Sequence, residues 1–144
     1  MTARRRGGGP SLLQLTNEDP EFYPLLGPFL SRREVVGQVG GPIWDDDAKT
    51  WIVATAGSGF PSEVAGFVGV AVRGRTTVVE SLYLAPGQEQ AAAALLDAAV
   101  TRFGDRPLHA VVCLAHRDAY LAAGFAETTR SKNFSTLDRE ATPR

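Results

Sequence analysis

An alanine-rich segment, Gln88 to Phe103, stands between two apolar runs, and this arrangement restricts the fold more than any other feature of the chain. Ala91, Ala92, Leu95, Leu96, Ala99, Val100 and Phe103 fall on one face at helical spacing, in residue types of high helix propensity. Gly104 stops the helix. Leu108 to Ala115 reads as a nearly continuous apolar strand of the buried type, and Thr76 to Leu84 as the strand before the helix. Joined through the helix, the two make a β-α-β unit with parallel strands.

The residues before this unit change period. Thr50 to Ala56 and Ser62 to Arg73 are rich in β-branched and aromatic residues and are separated by Gly57-Ser58-Gly59-Phe60-Pro61. With a tight reversal at Gly74-Arg75 they predict an antiparallel meander ending in Thr76 to Leu84. Upstream, Ser11 to Leu15 fits a first strand. Phe22, Leu25, Leu26, Phe29 and Leu30 predict a helix that Pro24 and Pro28 should break or shorten. Ser31 to Val39 predicts another, ended by Gly40-Gly41-Pro42. Downstream, Arg117 to Ala123 is a short helix with Gly124 as its left-handed cap. Residues 126 to 138 supply one final strand, or two short ones. The expected order is β-α-α-β-β-β-α-β-α-β, an α+β fold with a mixed, mainly antiparallel sheet. It occupies a single domain over 11–140, between a flexible basic, glycine-rich tail at 1–10 and a C-terminal tail at 141–144.

Composition narrows the function classes. Of 144 residues, 44% are hydrophobic and 22% charged, enough for one buried core. The net charge is -1, and setting aside Arg4, Arg5 and Arg6 leaves 12 of the 15 basic side chains against 16 acidic ones. That balance argues against a nucleic-acid-binding body. Cys113 is the only cysteine, which excludes an intramolecular disulfide and a cysteine metal site. No apolar run approaches the roughly 20 residues that span a bilayer, so the expectation is a cytoplasmic protein with no membrane association.

Three local patterns carry a resemblance. Glu80-Ser81-Leu82-Tyr83-Leu84-Ala85-Pro86 resembles the fourth strand of the GCN5-related N-acetyltransferase family, written E-x-L-Y-V-x-P, and Tyr120-Leu121-Ala122-Ala123-Gly124-Phe125 is similar to its Y-E-K-L-G-F. Between them, Gly87 to Ala93 stands where the family has its R/Q-x-x-G-x-G/A loop. The resemblance implies the acyl-CoA N-acyltransferase fold, with acetyl-CoA as acyl donor and a small-molecule or peptide amine as acceptor. It implies a bulge that splays the fourth strand from the next, with backbone near Leu82, Tyr83 and Leu84 pairing with the pantetheine amides. Tyr120 would give a proton to the departing thiolate or hydrogen-bond it, and Glu80, its pKa raised by desolvation, would take the amine proton directly or through water. Gln88, Gln90, Ala91, Ala92 and Ala93 would line the pyrophosphate at a helix N-terminus. A homodimer through edge strands also fits the fold.

The loop departs from the family's pattern. Alanines replace its glycines, and no arginine or lysine occurs from Thr76 to Thr101. Glu89 adds a negative charge where the anion should sit. Three readings stay open: a weak donor site, an altered acyl donor, or a domain that kept the fold and lost the donor. The last is a catalytically inactive binding or regulatory domain. A nucleic-acid-modifying enzyme is a further alternative, its basic face drawn from Arg4 to Arg6, Arg32, Arg33, Arg130 and Lys132. Cys113 and His116 suggest an acyl relay but, three residues apart on a strand end, need not face one another. Gly40 to Asp47, with Trp44 and three consecutive aspartates, reads either as an acceptor lid or as a solvated turn. Three carboxylates in a row do not converge on one ion, so no metal site is expected.

Overall fold

The computed structural model describes residues 11–41, 43, 49–56 and 63–142. Among the described residues seven strands are formed: β1 (Ser11–Leu15), β2 (Lys49–Ala56), β3 (Glu63–Arg73), β4 (Thr76–Leu84), β5 (Leu108–Cys113), β6 (Ala126–Arg130) and β7 (Phe134–Arg139). Four helices accompany them: α1 (Phe22–Leu30), α2 (Arg33–Val39), α3 (Ala91–Phe103) and α4 (Arg117–Ala122). The strands make one sheet in the order β1-β2-β3-β4-β5-β7-β6. Every pairing is antiparallel except β4 with β5. That exception is the β-α-β unit predicted from the alanine-rich segment.

Alternation along the strands divides the core in two, because successive side chains leave opposite faces of a sheet. Trp51 and Val53 of β2, with Phe67 and Tyr83, pack against Phe22, Leu26 and Val35 of α1 and α2. Ile52 and Ala54, with Val68, Val70, Leu82 and Leu84, pack against Leu95, Leu96 and Ala99 of α3 and Tyr120 of α4. Leu95 and Leu96 are almost wholly buried, each worth about 1.5–3 kcal/mol against exposure. Small residues at 91, 92 and 99 let α3 lie close on the sheet.

Several local expectations change. Pro28 lies inside α1, which runs its full nine residues. Pro24 falls in the first turn, where no intrahelical donor is needed, so only the Pro28 bond is lost. α3 begins at Ala91, because Gln88 to Gln90 form a turn held by Gln88 N–H on Ala85 O and Ala91 N–H on Gln88 O. β5 ends at Cys113, and Leu114–His116 form a 3-10 turn leading into α4. The C-terminal segment is two strands, joined beyond Arg130 by a turn in which Ser131 N–H donates to Phe134 O. Gly124 (φ 98°) takes the left-handed conformation expected of it, and Gly74 (φ 66°) takes one too at the tight reversal into β4. Residues 1–10, Pro42, Trp44 to Ala48, Gly57 to Ser62 and 143–144 lie outside the described residues, and with them the basic tail and most of the acceptor-lid segment.

Candidate active site

The two parallel strands at the centre of the sheet stay together only briefly. β4 pairs with β5 at Thr77 with Leu108 and at Val78 with His109. Beyond those positions they part, leaving a V between the ends of β4 and β5. A bulge in β4 accompanies the parting. Tyr83 stands opposite Phe67 of β3 while Glu80 stands opposite Gly69, so β4 carries one residue more than its partner over this stretch. Ser81 absorbs it at φ 62°, and among the described residues it is the non-glycine with positive φ. Such a conformation is disfavoured for a residue with a Cβ and persists where the surroundings fix it.

Lys49 supplies much of that fixing. Its side chain is fully buried, with Nζ 2.8 Å from Glu80 Oε2 and donating to Ser81 Oγ at 3.0 Å. The ammonium also lies 4.1 Å from the centre of the Trp51 ring. To reach β4 from β2 the lysine stem crosses β3 at Gly69, where a Cβ would stand 2.2 Å from Lys49 Cε. Glycine is what opens that path. Arg73 closes on Glu80 from the other side, with Nη1 2.6 Å from Oε1 and Nη2 3.1 Å from Oε2. Burial alone would raise the Glu80 carboxyl, but the hydrogen bonds and charges of Arg73 and Lys49 outweigh it and hold the pKa below the ordinary value. The desolvation argument from sequence therefore has the sign reversed. Glu80 is a steadily ionised carboxylate clamped by two cations.

Tyr120 is buried at the start of the Tyr120–Phe125 turn, its ring edge-on to Phe125 at 5.1 Å. Phe125 N–H donates to Tyr120 O, which fixes the turn through Gly124. The hydroxyl has no hydrogen-bond partner, a condition that among the described buried side chains it shares with Trp51 Nε1. Burial, and secondarily the Glu80 charge, push its pKa well above the usual phenol value. A buried unsatisfied hydroxyl costs about 1–3 kcal/mol, so this one is a donor that an acceptor atom brought to it would satisfy. It is also locked in the protonated form.

The backbone of β4 beyond the bulge is already engaged. Leu84 N–H donates to Gln38 Oε1 at 2.7 Å, and Gln38 Nε2 donates to Leu84 O at 3.0 Å. His116 Nε2 lies 3.1 Å from the same Gln38 Oε1. Burial holds the His116 pKa below its ordinary value. A neutral ring that donates from Nε2 satisfies this arrangement. The Leu82 and Leu84 side chains belong to the α3 core, whereas the Tyr83 ring lies on the opposite face, 5.3 Å from Phe67 and 5.8 Å from Phe29. Cys113 is half-buried, and burial raises its thiol pKa, so the sulfur is a poor nucleophile.

The turn before α3 fits an anion less well than the V fits a thioester. Gln88, Ala91 and Ala92 direct their N–H groups to Ala85 O, Gln88 O and Glu89 O. Gly87 N–H points at the Glu89 carboxylate at 3.4 Å, and Gln90 Nε2 donates to Gln88 Oε1 at 3.2 Å. Ala91 and Ala92 are buried core residues, while Ala93 is exposed on a groove of about 490 Å³ that includes Ala119, Ala122 and Arg139. Four backbone donors of this turn, at Gly87, Gln88, Ala91 and Ala92, are thus already engaged internally, and an acidic side chain stands among them. The orphaned Tyr120 hydroxyl and the splayed strands fit the reactive end of an acyl thioester; this turn does not reproduce a phosphate cradle.

Solved structures share the overall fold. Escherichia coli ElaA superposes with a TM-score of 0.60 at 12% identity, over 91% of this chain and 99% of that one. The GNAT domain of S. lividans PAT gives 0.63 at 20% identity, over 92% and 90%. Campylobacter jejuni N-acetyltransferase PseH in complex with acetyl coenzyme A gives 0.59 at 11%, over 92% and 99%. The fold is that of the GCN5-related N-acetyltransferases. No family model matches the chain, and no curated protein matches it in sequence.

Within this acetyltransferase fold, Glu80 and Tyr120 are brought close enough for the carboxylate charge to act on the hydroxyl. Sequence reasoning missed Lys49, Arg73 and Gln38. Gly69 was the available sign of the first, since a glycine inside an apolar strand marks a close approach. Gln38 gave none, being one polar residue on a short helix.

Proposed function

We propose that this protein is an acyltransferase that moves an acyl group from a thioester donor, with acetyl-CoA as the donor to test first, to a primary amine by direct attack. The observation that carries the reading is the buried, partnerless Tyr120 hydroxyl beside a bulged β4 that has splayed from β5. The donor, when bound, supplies an activated acyl carbon and a sulfur leaving group. The sulfur leaves as a thiolate that accepts a hydrogen bond from Tyr120 and takes up the proton the nitrogen sheds as the amide forms. Glu80 accepts a hydrogen bond from the acceptor amine and receives the proton released before nitrogen bonds to the acyl carbon, directly or through water. A carboxylate held ionised by Lys49 and Arg73 is a weaker base than one in an apolar slot, and because the two cations offset its charge it acts on the acceptor by accepting a hydrogen bond rather than by long-range attraction.

The fold of PseH, whose structure contains acetyl coenzyme A, supports the choice of donor. The test is release of free thiol from acetyl-CoA in the presence of a panel of primary amines, with Tyr120→Phe as comparison. Release that depends on amine and falls at least tenfold in the variant agrees with the reading. Equal rates remove Tyr120 from the chemistry.

One observation favours a second reading, a non-catalytic domain of the same fold: the turn before α3 spends the N–H groups of Gly87, Gln88, Ala91 and Ala92 internally. Such a domain would bind a ligand in the V without releasing thiol from any amine-containing mixture.

A further inference from the structure

A carboxamide with its C=O and N–H side by side presents to one residue what a neighbouring strand presents, an acceptor for its N–H and a donor for its C=O. Gln38 does this at Leu84, with both bonds between 2.7 and 3.0 Å. The assignment of its oxygen and nitrogen is unambiguous, since a flipped amide would oppose donor to donor at Leu84 N and acceptor to acceptor at Leu84 O. Three further contacts hold it. His116 donates to the same oxygen from a buried ring. α2 touches both β4 and β5, and so spans the strands that part below it. Its C-terminal Gly40, at φ 94°, lies so close to the end of β5 that a Cβ would meet Phe134 Cε1 at 2.9 Å and Cys113 Sγ at 3.0 Å.

We infer that Gln38 gates the acyl-donor slot, its carboxamide occupying the β4 edge that an amide-bearing donor arm must take over. The inference rests on the acyltransferase reading above and adds a selectivity to it. A donor whose arm carries amides can replace both Leu84 bonds as it displaces Gln38; a simple alkyl thioester has nothing to replace them with, so the bonds persist and the gate stays closed. Gln38 is thus a specificity-determining residue on a helix remote in sequence from the strand it covers, separated from Leu84 by 46 positions.

The experiment is calorimetric titration of wild-type protein, Gln38→Ala and Gln38→Met with acetyl-CoA, with the Leu84 amide followed by NMR in each. Both variants should bind about tenfold more tightly, as two net hydrogen bonds no longer oppose entry. The free variants should show an altered Leu84 amide resonance that acetyl-CoA brings toward the position it has in bound wild type. Methionine keeps the length and helix propensity of glutamine, which separates loss of the gate from loss of α2. If wild type binds and both variants bind equally or more weakly, the gate is overturned and the acyltransferase reading stands. If none of the three proteins binds, both fall together.

Discussion

The Lys49 ammonium lies 2.8 Å from the Glu80 carboxylate and anchors Ser81 at the same time, so one buried cation holds both residues of the β4 bulge. Replacing it with Lys49→Met keeps the stem and leaves Glu80 with Arg73 alone. Breaking such a pair from one side costs about 3 kcal/mol. Urea denaturation should show that loss, and the Glu80 carboxyl, followed by NMR, should titrate at higher pH than in wild type. A loss under about 1 kcal/mol would mean the pair contributes little.

Gly69 makes the Lys49 crossing feasible, so Gly69→Ala should strain the same contact from the other strand. The new methyl would stand 2.2 Å from Lys49 Cε and must push the stem aside. The expected destabilisation is about 1–3 kcal/mol. In a Lys49→Ala background the alanine at 69 has room, and its cost measured by the same unfolding curves should fall by at least half.

Tyr120→Phe should make the protein more stable and less active. Removing a buried hydroxyl that has no partner returns about 1 kcal/mol, which for a chain of this length raises Tm by about 3 °C. Calorimetry on the ligand-free variant measures it. A lower Tm would show that the hydroxyl is hydrogen-bonded after all.

Acid should weaken the fold in two stages. His116 has a folded pKa below its ordinary 6.5, so the unfolded chain takes up the proton first and stability declines as pH falls through that value. Glu80 is also depressed, from 4.5; its contribution is present above that pH and is lost as pH falls through the lower folded value. The urea midpoint should therefore drop between pH 7 and pH 5, and His116→Asn should flatten that part of the curve. An unchanged slope in the variant would assign the first stage to another group.

What the sequence makes legible is what a few adjacent residues decide. The amphipathic repeat of α3, the apolar run of β5 and the glycines at 74 and 124 announce themselves locally, and E-S-L-Y-L-A-P with Y-L-A-A-G-F point to the architecture. Pairs made across the sheet are silent in one dimension. Lys49 opens a strand and reads as a solvated charge until Gly69 is seen beneath it. Glu80 reads as a desolvated acid because neither of its cations is adjacent, and the bulge that turns it toward them is a property of three strands. The turn at Gly87 to Ala93 is intermediate. Its missing glycines are visible in the sequence, but the internal spending of its N–H groups is a matter of geometry.

The central claim, that the splayed β4 edge and Tyr120 receive an acyl thioester, is tested most directly by thermal melting with acetyl-CoA. At about 100 times its dissociation constant the donor should stabilise the fold by roughly 2.7 kcal/mol. That predicts a rise in Tm that grows with concentration and that acetyl-pantetheine, lacking the nucleotide, reproduces in large part. No rise with either compound at millimolar concentration would contradict it.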